Sequence, residues 1–217
     1  RSIPSLVDGF KPSQRKILFG AFLRGLEKEQ IKVAQLAGFV SDRSAYHHGE
    51  ASLMGAIIGM AQNFVGSNNI NILEPKGQFG TRYGGGKDHA SPRYIFTKIE
   101  KATSLIFRKE DNNILSYVND DGQQVEPEYY LPIIPMLLVN GATGIGTGFS
   151  TNIPCYHPYD IINNIKAMLN EEKPKKIHPY YNKFKGTIKK LDVSSYQVKG
   201  CYNVDKKNDT VEIRFSS

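Results

Sequence analysis

The sequence predicts an α+β fold, and three observations support this prediction. Apolar residues recur at helical spacing in three segments among the first 64 residues. A turn signal, Asn119-Asp120-Asp121-Gly122, stands between two short apolar runs and predicts a β-hairpin. After Glu171 the sequence alternates and is rich in turn residues, as is typical of short antiparallel strands.

Three helices are predicted in the N-terminal part. The first begins at Pro12, a residue favoured in the first turn of a helix, and carries apolar residues on one face as far as Leu26. The second covers residues 33–40, and the third covers residues 50–64 with an acidic residue in its first turn. Three short helices with tight links are compatible with a helix-turn-helix core, and the hairpin at 115–125 then favours a winged helix.

The middle of the chain carries shorter signals. Residues 68–86 are rich in Gly and Asn and predict a loop. Apolar residues from Ile95 to Ile106 have helical spacing and predict a fourth helix. Residues 133–140 predict a strand that enters the glycine-rich stretch 141–148, and we place a soft domain boundary there.

The C-terminal part is predicted to begin with an amphipathic helix over residues 158–169. Its expected buried face consists of Ile161, Ile162, Ile165 and Leu169. Short strands are predicted around residues 186–188, 196–198 and 211–213.

Composition excludes several classes of protein. The 217 residues are 40% hydrophobic and 11% aromatic, which excludes a disordered chain. The longest uncharged apolar run, residues 131–139, is far shorter than the roughly 18 residues that span a bilayer, so we expect a soluble protein. Two cysteines without a pairing framework suit a reducing compartment. The chain begins at Arg1 without a methionine, and we expect it to be a piece of a longer protein.

The net charge of +7 is unevenly distributed. Residues 76–109 carry eight basic and two acidic side chains, a net of +6, whereas residues 110–165 carry seven acidic side chains and none that is basic, a net of −7. Basic side chains set among glycines can reach phosphate groups, which favours nucleic-acid binding by residues 76–109. For the lysines after residue 170, both a DNA contact and a solvated surface remain open.

The glycine-rich stretch 141–148 invites comparison with a phosphate-binding loop. Gly141 and Gly146 have the required spacing, but Thr147 stands where that loop needs a lysine, so we exclude a nucleotide site of this kind. Ile145 is the single bulky side chain among small ones. Either the stretch is a tight turn that another backbone approaches, or Ile145 is a wedge that enters between base pairs.

The segment Tyr46-His47-His48-Gly49-Glu50 suggests metal or acid–base chemistry at first sight. Adjacent histidines point in different directions, and neither a cysteine nor an H-E-x-x-H pattern completes a site. The alternatives are loop histidines that cap the next helix and loop histidines that contact phosphate. No D-x-D pair occurs in the sequence, so a carboxylate-held magnesium pair is not predicted.

Residues 82–94 combine a tyrosine with nearby cations. A phenol is a weak nucleophile at neutral pH, and adjacent cations stabilise both its phenolate and the charge that builds on a phosphate under attack. Arg93 adjoins Tyr94, and Lys87 and His89 lie upstream. Tyr94 is therefore either a nucleophile or, like most tyrosines beside an arginine, a packing residue.

The ordered motifs of the chain resemble those of type IIA DNA topoisomerases, specifically the eukaryotic topoisomerase II form. Ser91-Pro92-Arg93-Tyr94-Ile95-Phe96-Thr97 resembles the active-site tyrosine segment of that family. Further blocks resemble it in the same order, at residues 3–12, 32–38, 46–50, 62–69, 77–82 and 140–148. The resemblance covers residues 2–169, and the tail matches only in outline.

The resemblance implies a fold and a set of site residues. Residues 1–135 would form a winged-helix DNA-cleavage domain, and residues 136–217 would begin an α/β tower domain. Tyr94 would attack a DNA phosphate and Arg93 would stabilise the transition state. The side chains expected to contact DNA are Lys11, Tyr46, His47, His48, Lys87 and Ile145, with Ile145 inserted between bases.

The resemblance also implies partners and cofactors. The full-length enzyme would be an ATP-dependent nuclear homodimer that acts on double-stranded DNA, although a viral or organellar version remains open. Its magnesium and ATP would both bind outside residues 1–217. Two other functions remain open on the sequence: a winged-helix module that binds DNA without cutting it, and a basic protein-interaction domain.

Overall fold

The computed structural model describes residues 2–44, 46, 49–193, 195–205 and 207–213. The three predicted N-terminal helices are confirmed as α1 (Pro12–Leu23), α2 (Val33–Arg43) and α3 (Glu50–Ala61). Helix α3 ends before the predicted residue 64, because Gln62 adopts an extended conformation with ψ of 133°. The helices pack on one another through fully buried side chains that include Ile17, Leu36 and Ile57.

A three-stranded antiparallel sheet covers these helices. It consists of β1 (Ile31–Lys32), β2 (Leu73–Lys76) and β3 (Phe96–Ile99), with β3 in the middle. The prediction of a loop throughout residues 68–86 is therefore wrong at β2.

The predicted helix from Ile95 is also wrong in its first half, where the chain is β3. Ile95, Thr97 and Ile99 are buried while the residues between them are half-buried, which is the alternation of a strand. The helix α4 (Lys101–Ile106) begins only after Glu100, whose carboxylate accepts a hydrogen bond from the Lys101 N–H.

The predicted hairpin is confirmed as β4 (Tyr117–Asp120) and β5 (Gln123–Pro127). Asp121 and Gly122 both have positive φ, as a two-residue hairpin turn of this kind requires. The hairpin is a separate two-stranded sheet and does not extend β1-β3-β2. It is tied to α1 by the ion pair between Lys16 Nζ and Glu126 Oε1, at 2.8 Å.

The predicted strand at residues 133–140 is wrong, because the chain forms a short helix, α5 (Met136–Asn140). Pro135 stands at its N-cap, and a short apolar run has no periodicity that separates a strand from a buried helix. The glycine-rich stretch is the hairpin of β6 (Ala142–Gly146) and β7 (Phe149–Ile153).

Helix α6 (Pro158–Leu169) is confirmed, with Ile161 buried, but Leu169 is exposed because it lies in the last turn. The three predicted strands of the tail are confirmed as β8 (Thr187–Lys190), β9 (Tyr196–Lys199) and β11 (Thr210–Ile213). Strand β8 pairs with β9, and β11 pairs with β10 (Tyr202–Asp205), which was not predicted.

The α+β class is confirmed, whereas the winged-helix and tower assignments and the boundary after residue 135 stay predictions. Polar contacts join the two predicted domains. Asn140 and Ile70 exchange two hydrogen bonds, and Asn69 Nδ2 donates to the carbonyl oxygens of Tyr156 and Tyr180. In the described part of the chain, every helix is too short or too polar to cross a membrane.

Candidate active site and nucleic-acid interface

Tyr94 lies in a tight turn directly before β3. Its N–H donates to the Ser91 carbonyl oxygen at 2.9 Å, and the Arg93 N–H approaches Ser91 Oγ at 3.5 Å. The Tyr94 side chain is 77% exposed, and Arg93 is exposed beside it. Neither side chain makes a hydrogen bond or ion pair with the described residues, so both are available to a ligand.

The first turn of α2 holds this turn in place. The Val33 N–H donates to the Ile95 carbonyl oxygen and the Ala34 N–H to the Pro92 carbonyl oxygen, each at 3.0 Å. Because these bonds hold the backbone on both sides of Tyr94, the turn is fixed to helix α2. The N-terminus of a helix carries a partial positive charge, which adds to that of Arg93.

The loop before Tyr94, residues 79–88, has a defined fold. Gln62 Nε2 donates to the carbonyl oxygens of Phe79 and Gly86, at 2.9 and 3.0 Å, and so clamps the two ends of the loop. Gly80 has a φ of 98°, and a Cβ there would lie 2.7 Å from the Gly86 backbone. Gly80 therefore allows its backbone to lie close to that of Gly86.

Asp88 closes the same loop from the opposite side. Its carboxylate accepts hydrogen bonds from Thr81 Oγ1 at 2.6 Å and from the Thr81 N–H at 2.9 Å, and these bonds lower the pKa of Asp88. The neighbouring Lys87 is exposed, and none of the described side chains pairs with it. The loop thus presents the predicted Lys87 cation to solvent.

Strand pairing forms a second group of cations, in which Lys32 joins two lysines of the basic block 76–109. Strand pairing places Lys32 and Lys76 on either side of Phe96, two residues after Tyr94, and Lys32 Nζ lies 5.9 Å from the Phe96 ring centroid. Glu74 holds Lys76 and Lys98 in ion pairs on the same outer face of the sheet. The strand register brings these residues together, and no local sequence signal reveals it.

Ile145 projects from the β6–β7 hairpin. It is 78% exposed and pairs with Ser150, and Thr143 and Asn152 share its face of the hairpin. A lone exposed aliphatic side chain on a polar face has no packing role in the described part of the chain. Lys11 lies at the same hairpin, because its Nζ donates to the Thr143 carbonyl oxygen at 3.1 Å.

Tyr46 is half-buried against the core, and its N–H approaches the Ser41 carbonyl oxygen at 3.4 Å. His47 and His48 lie outside the described residues. The structure thus forms two groups of predicted site residues, Arg93 with Tyr94 in one turn and Lys11 with Ile145 at one hairpin.

No metal centre built from a cluster of protein ligands is present among the described residues. They contain no group of three or more His, Cys, Asp or Glu side chains that could hold a metal ion. Two carboxylates in this part of the chain are already engaged, that of Asp88 by Thr81 and that of Glu74 by two lysines. We therefore derive no step through a metal ion at these residues.

Three comparisons place the chain among known proteins. A family model that describes the A subunit of DNA gyrase/topoisomerase IV matches residues 1–215. DNA topoisomerase 2-beta of Homo sapiens is 57% identical over 213 residues, 98% of this chain and 13% of that protein. DNA topoisomerase 2 of Arabidopsis thaliana is 57% identical over 206 residues, 93% of this chain and 14% of that protein.

The solved structures contain a similar fold. The topoisomerase II DNA-binding, cleavage and re-ligation domain of Plasmodium falciparum matches with a TM-score of 0.95 and 54% sequence identity, over 98% of this chain and 29% of that chain. The chain spans only 13–14% of the length of the relatives from Homo sapiens and Arabidopsis thaliana.

Proposed function

The chain belongs to the topoisomerase family that includes DNA gyrase/topoisomerase IV and eukaryotic DNA topoisomerase 2, and from this membership we propose that Tyr94 cleaves DNA. The observation that carries the proposal is the turn of Arg93 and Tyr94. Both side chains are exposed on a turn whose backbone is fixed to the first turn of α2. A nucleophile needs this combination of access and fixed position.

In the proposed reaction the Tyr94 phenolic oxygen attacks a phosphorus atom of the DNA backbone. A tyrosyl phosphate forms at the 5′ end of the break while the bond from phosphorus to the 3′ oxygen is broken. The phenolic proton ends on that oxygen, which leaves as a 3′-hydroxyl. Religation is the same step in reverse, so cleavage consumes no ATP and needs neither an oxidant nor a reductant.

Arg93, which is adjacent to Tyr94 in sequence, would supply positive charge to the phosphate under attack. Its guanidinium can donate two parallel hydrogen bonds to phosphate oxygens, which stabilise the negative charge of the transition state. The positive N-terminal end of α2 acts in the same direction from behind the turn. The helix end is fixed before the reaction begins, and the exposed Arg93 side chain would be ordered by the phosphate that it binds.

The DNA would lie across several basic surfaces. Lys87 on the loop and the Lys32–Phe96–Lys76 row of the sheet flank the Tyr94 turn, where phosphate contacts would hold the duplex. Tyr46, His47 and His48 are proposed as further contacts by analogy with the family. Ile145 is proposed as a wedge that enters between base pairs and bends the duplex.

The activity of the whole protein is also part of the proposal. We propose that the chain works within a longer, nuclear, homodimeric enzyme on double-stranded DNA. Two Tyr94 residues would cut opposite strands, and a second duplex would pass through the break. Magnesium and ATP would bind in other parts of that polypeptide. Relatives named as topoisomerases support this catalytic function over a DNA-binding module that does not cut.

The proposal is tested with the full-length protein, supercoiled DNA, magnesium and ATP. Cleaved DNA is trapped with denaturant, and the protein–DNA adduct is separated on a gel. Tyr94→Phe should abolish the adduct, whereas Tyr83→Phe, a change at an exposed tyrosine of the same loop, should retain it. An adduct with Tyr94→Phe refutes the nucleophile assignment. A wild-type protein that binds DNA without forming an adduct is instead a binding module.

A further inference from the structure

The N-terminal segment, residues 2–11, lies against the hairpin that carries Ile145. A Cβ on the buried Gly144 would collide with the Ser2 carbonyl oxygen and would lie 3.3 Å from Ile3 Cδ1. A Cβ on Gly146 would lie 3.8 Å from Ile3 Cγ1. Because the two glycines on either side of Ile145 have no side chains, Ser2 and Ile3 can pack directly against the hairpin backbone.

The same segment contacts the base of the hairpin at two further points. Gly9 has a φ of 75°, and a Cβ there would lie 2.7 Å from the backbone nitrogen of Leu137 in α5, the helix that leads into β6. Lys11 Nζ donates to the Thr143 carbonyl oxygen. Thr143 is two residues before Ile145 on the same strand, so this bond acts directly on the strand that carries the wedge.

The segment is itself anchored in the protein core. Asp8 is fully buried and accepts hydrogen bonds from Arg15 Nε at 2.7 Å and Arg15 Nη2 at 3.0 Å, which fix it to α1. The Gly9 N–H donates to the Ser5 carbonyl oxygen and closes a compact loop. A force on the hairpin is therefore transmitted through residues 2–11 into the helical core.

The β6–β7 hairpin needs such support if Ile145 is a wedge. A two-stranded hairpin is marginally stable by itself, and the stacking of the base pairs opposes the insertion of a wedge. The Ile145 side chain is largely exposed, so only its strand determines its direction. We propose that residues 2–11 are a brace that holds this direction, with Ile3 and Lys11 as positioning residues. The proposal rests on the proposed function of Ile145.

The brace assigns Lys11 a role that differs from the DNA contact implied by the family resemblance, which for a lysine would be a contact to phosphate. Loss of a phosphate contact lowers the slope of log affinity against log salt by about 0.9. Loss of a brace leaves this slope unchanged and reduces the bend of the DNA. Lys11→Met removes the ammonium and keeps the apolar stem, so it separates the two roles.

The experiment measures the bend angle of a doubly labelled duplex by fluorescence transfer, with the full-length protein, together with the salt slope of binding. Ile3→Ala and Lys11→Met should each cause at least half of the bend reduction that Ile145→Ala causes, with an unchanged salt slope. Leu6→Ala is the matched control, because Leu6 is 82% exposed in the same segment, and it should bend DNA like the wild type. Ile3 is 41% exposed, so its truncation is compatible with folding.

Each outcome decides one claim. If Ile145→Ala reduces the bend while Ile3→Ala and Lys11→Met do not, the brace is refuted and the wedge stands. A reduced salt slope for Lys11→Met also refutes its positioning role. A normal bend with Ile145→Ala refutes the wedge, and with it the brace. The adduct assay with Tyr94→Phe is independent of all three results.

Discussion

Replacement of Gln62 by methionine tests whether the loop before Tyr94 is held as a folded unit. The change keeps the length of the side chain and removes the amide that donates to the Phe79 and Gly86 carbonyl oxygens. Phe79 and Gly86 are both buried, so neither carbonyl is freely solvated after the change. Each buried carbonyl oxygen that is left without a donor costs about 1–3 kcal/mol.

Because two carbonyl oxygens are affected, the expected loss is about 2–6 kcal/mol of unfolding free energy. Urea denaturation of the 217-residue chain measures it, and limited proteolysis reports whether the loop at 79–86 opens first. Gln35→Met is the matched control, because Gln35 is exposed on α2. It should stay within about 0.5 kcal/mol of the wild type.

An equal effect of Gln62→Met and Gln35→Met would refute the clamp. The full-length enzyme adds a functional readout, since a loosened loop should lower the amount of Tyr94 adduct without changing the salt slope of binding. A stability loss with a normal amount of adduct would show that the clamp stabilises the fold and does not position Tyr94.

Three further predictions concern buried or hydrogen-bonded groups. Asp8→Asn places an amide group among Phe10, Arg15 and Tyr130, which all donate to Asp8. The change should lower the free energy of unfolding by about 3–5 kcal/mol, measured by urea denaturation. A loss below about 1 kcal/mol would contradict the buried ion pair of Asp8 and Arg15. Thr81→Val should raise the pKa of Asp88 toward 3.8, measured by NMR titration. An unchanged pKa of Asp88 in the variant would refute the Thr81 contact. Because folding lowers this pKa, the Asp88 carboxylate stabilises the fold above its unfolded pKa, and the stabilisation is lost as the pH falls through its folded pKa. Burial raises the pKa of the Cys155 thiol to about 11, so at pH 8 a thiol reagent should modify the exposed Cys201 first and Cys155 only after unfolding; equal rates would contradict this burial.

The sequence was sufficient where structure depends on near neighbours. Helices α1, α2, α3 and α6 follow from apolar spacing along a single segment, and the turn of β4 and β5 follows from residues with a tendency to positive φ. The pair Arg93 and Tyr94 was named for its contiguous motif, and its role in cleavage stays a prediction.

The sequence was insufficient where structure depends on distant partners. Strand β3 pairs with β1 and β2 from separate parts of the chain, and this pairing determines its conformation in spite of the helical spacing of its apolar residues. The pairing that brings Lys32 and Lys76 to Phe96 could not be predicted for the same reason. The bond from Lys11 to Thr143 spans 132 residues of sequence, and no local pattern indicates it.

The most direct test of the account identifies the tyrosine that carries DNA. Cleavage complexes of the full-length wild-type enzyme are trapped with denaturant and treated with nuclease and protease, and the nucleotide-bearing peptide is sequenced by mass spectrometry. The account predicts a nucleotide joined through its 5′ phosphate to the phenolic oxygen of Tyr94. A nucleotide on any other of the 12 tyrosines of this chain, or on a residue elsewhere in the protein, would contradict it.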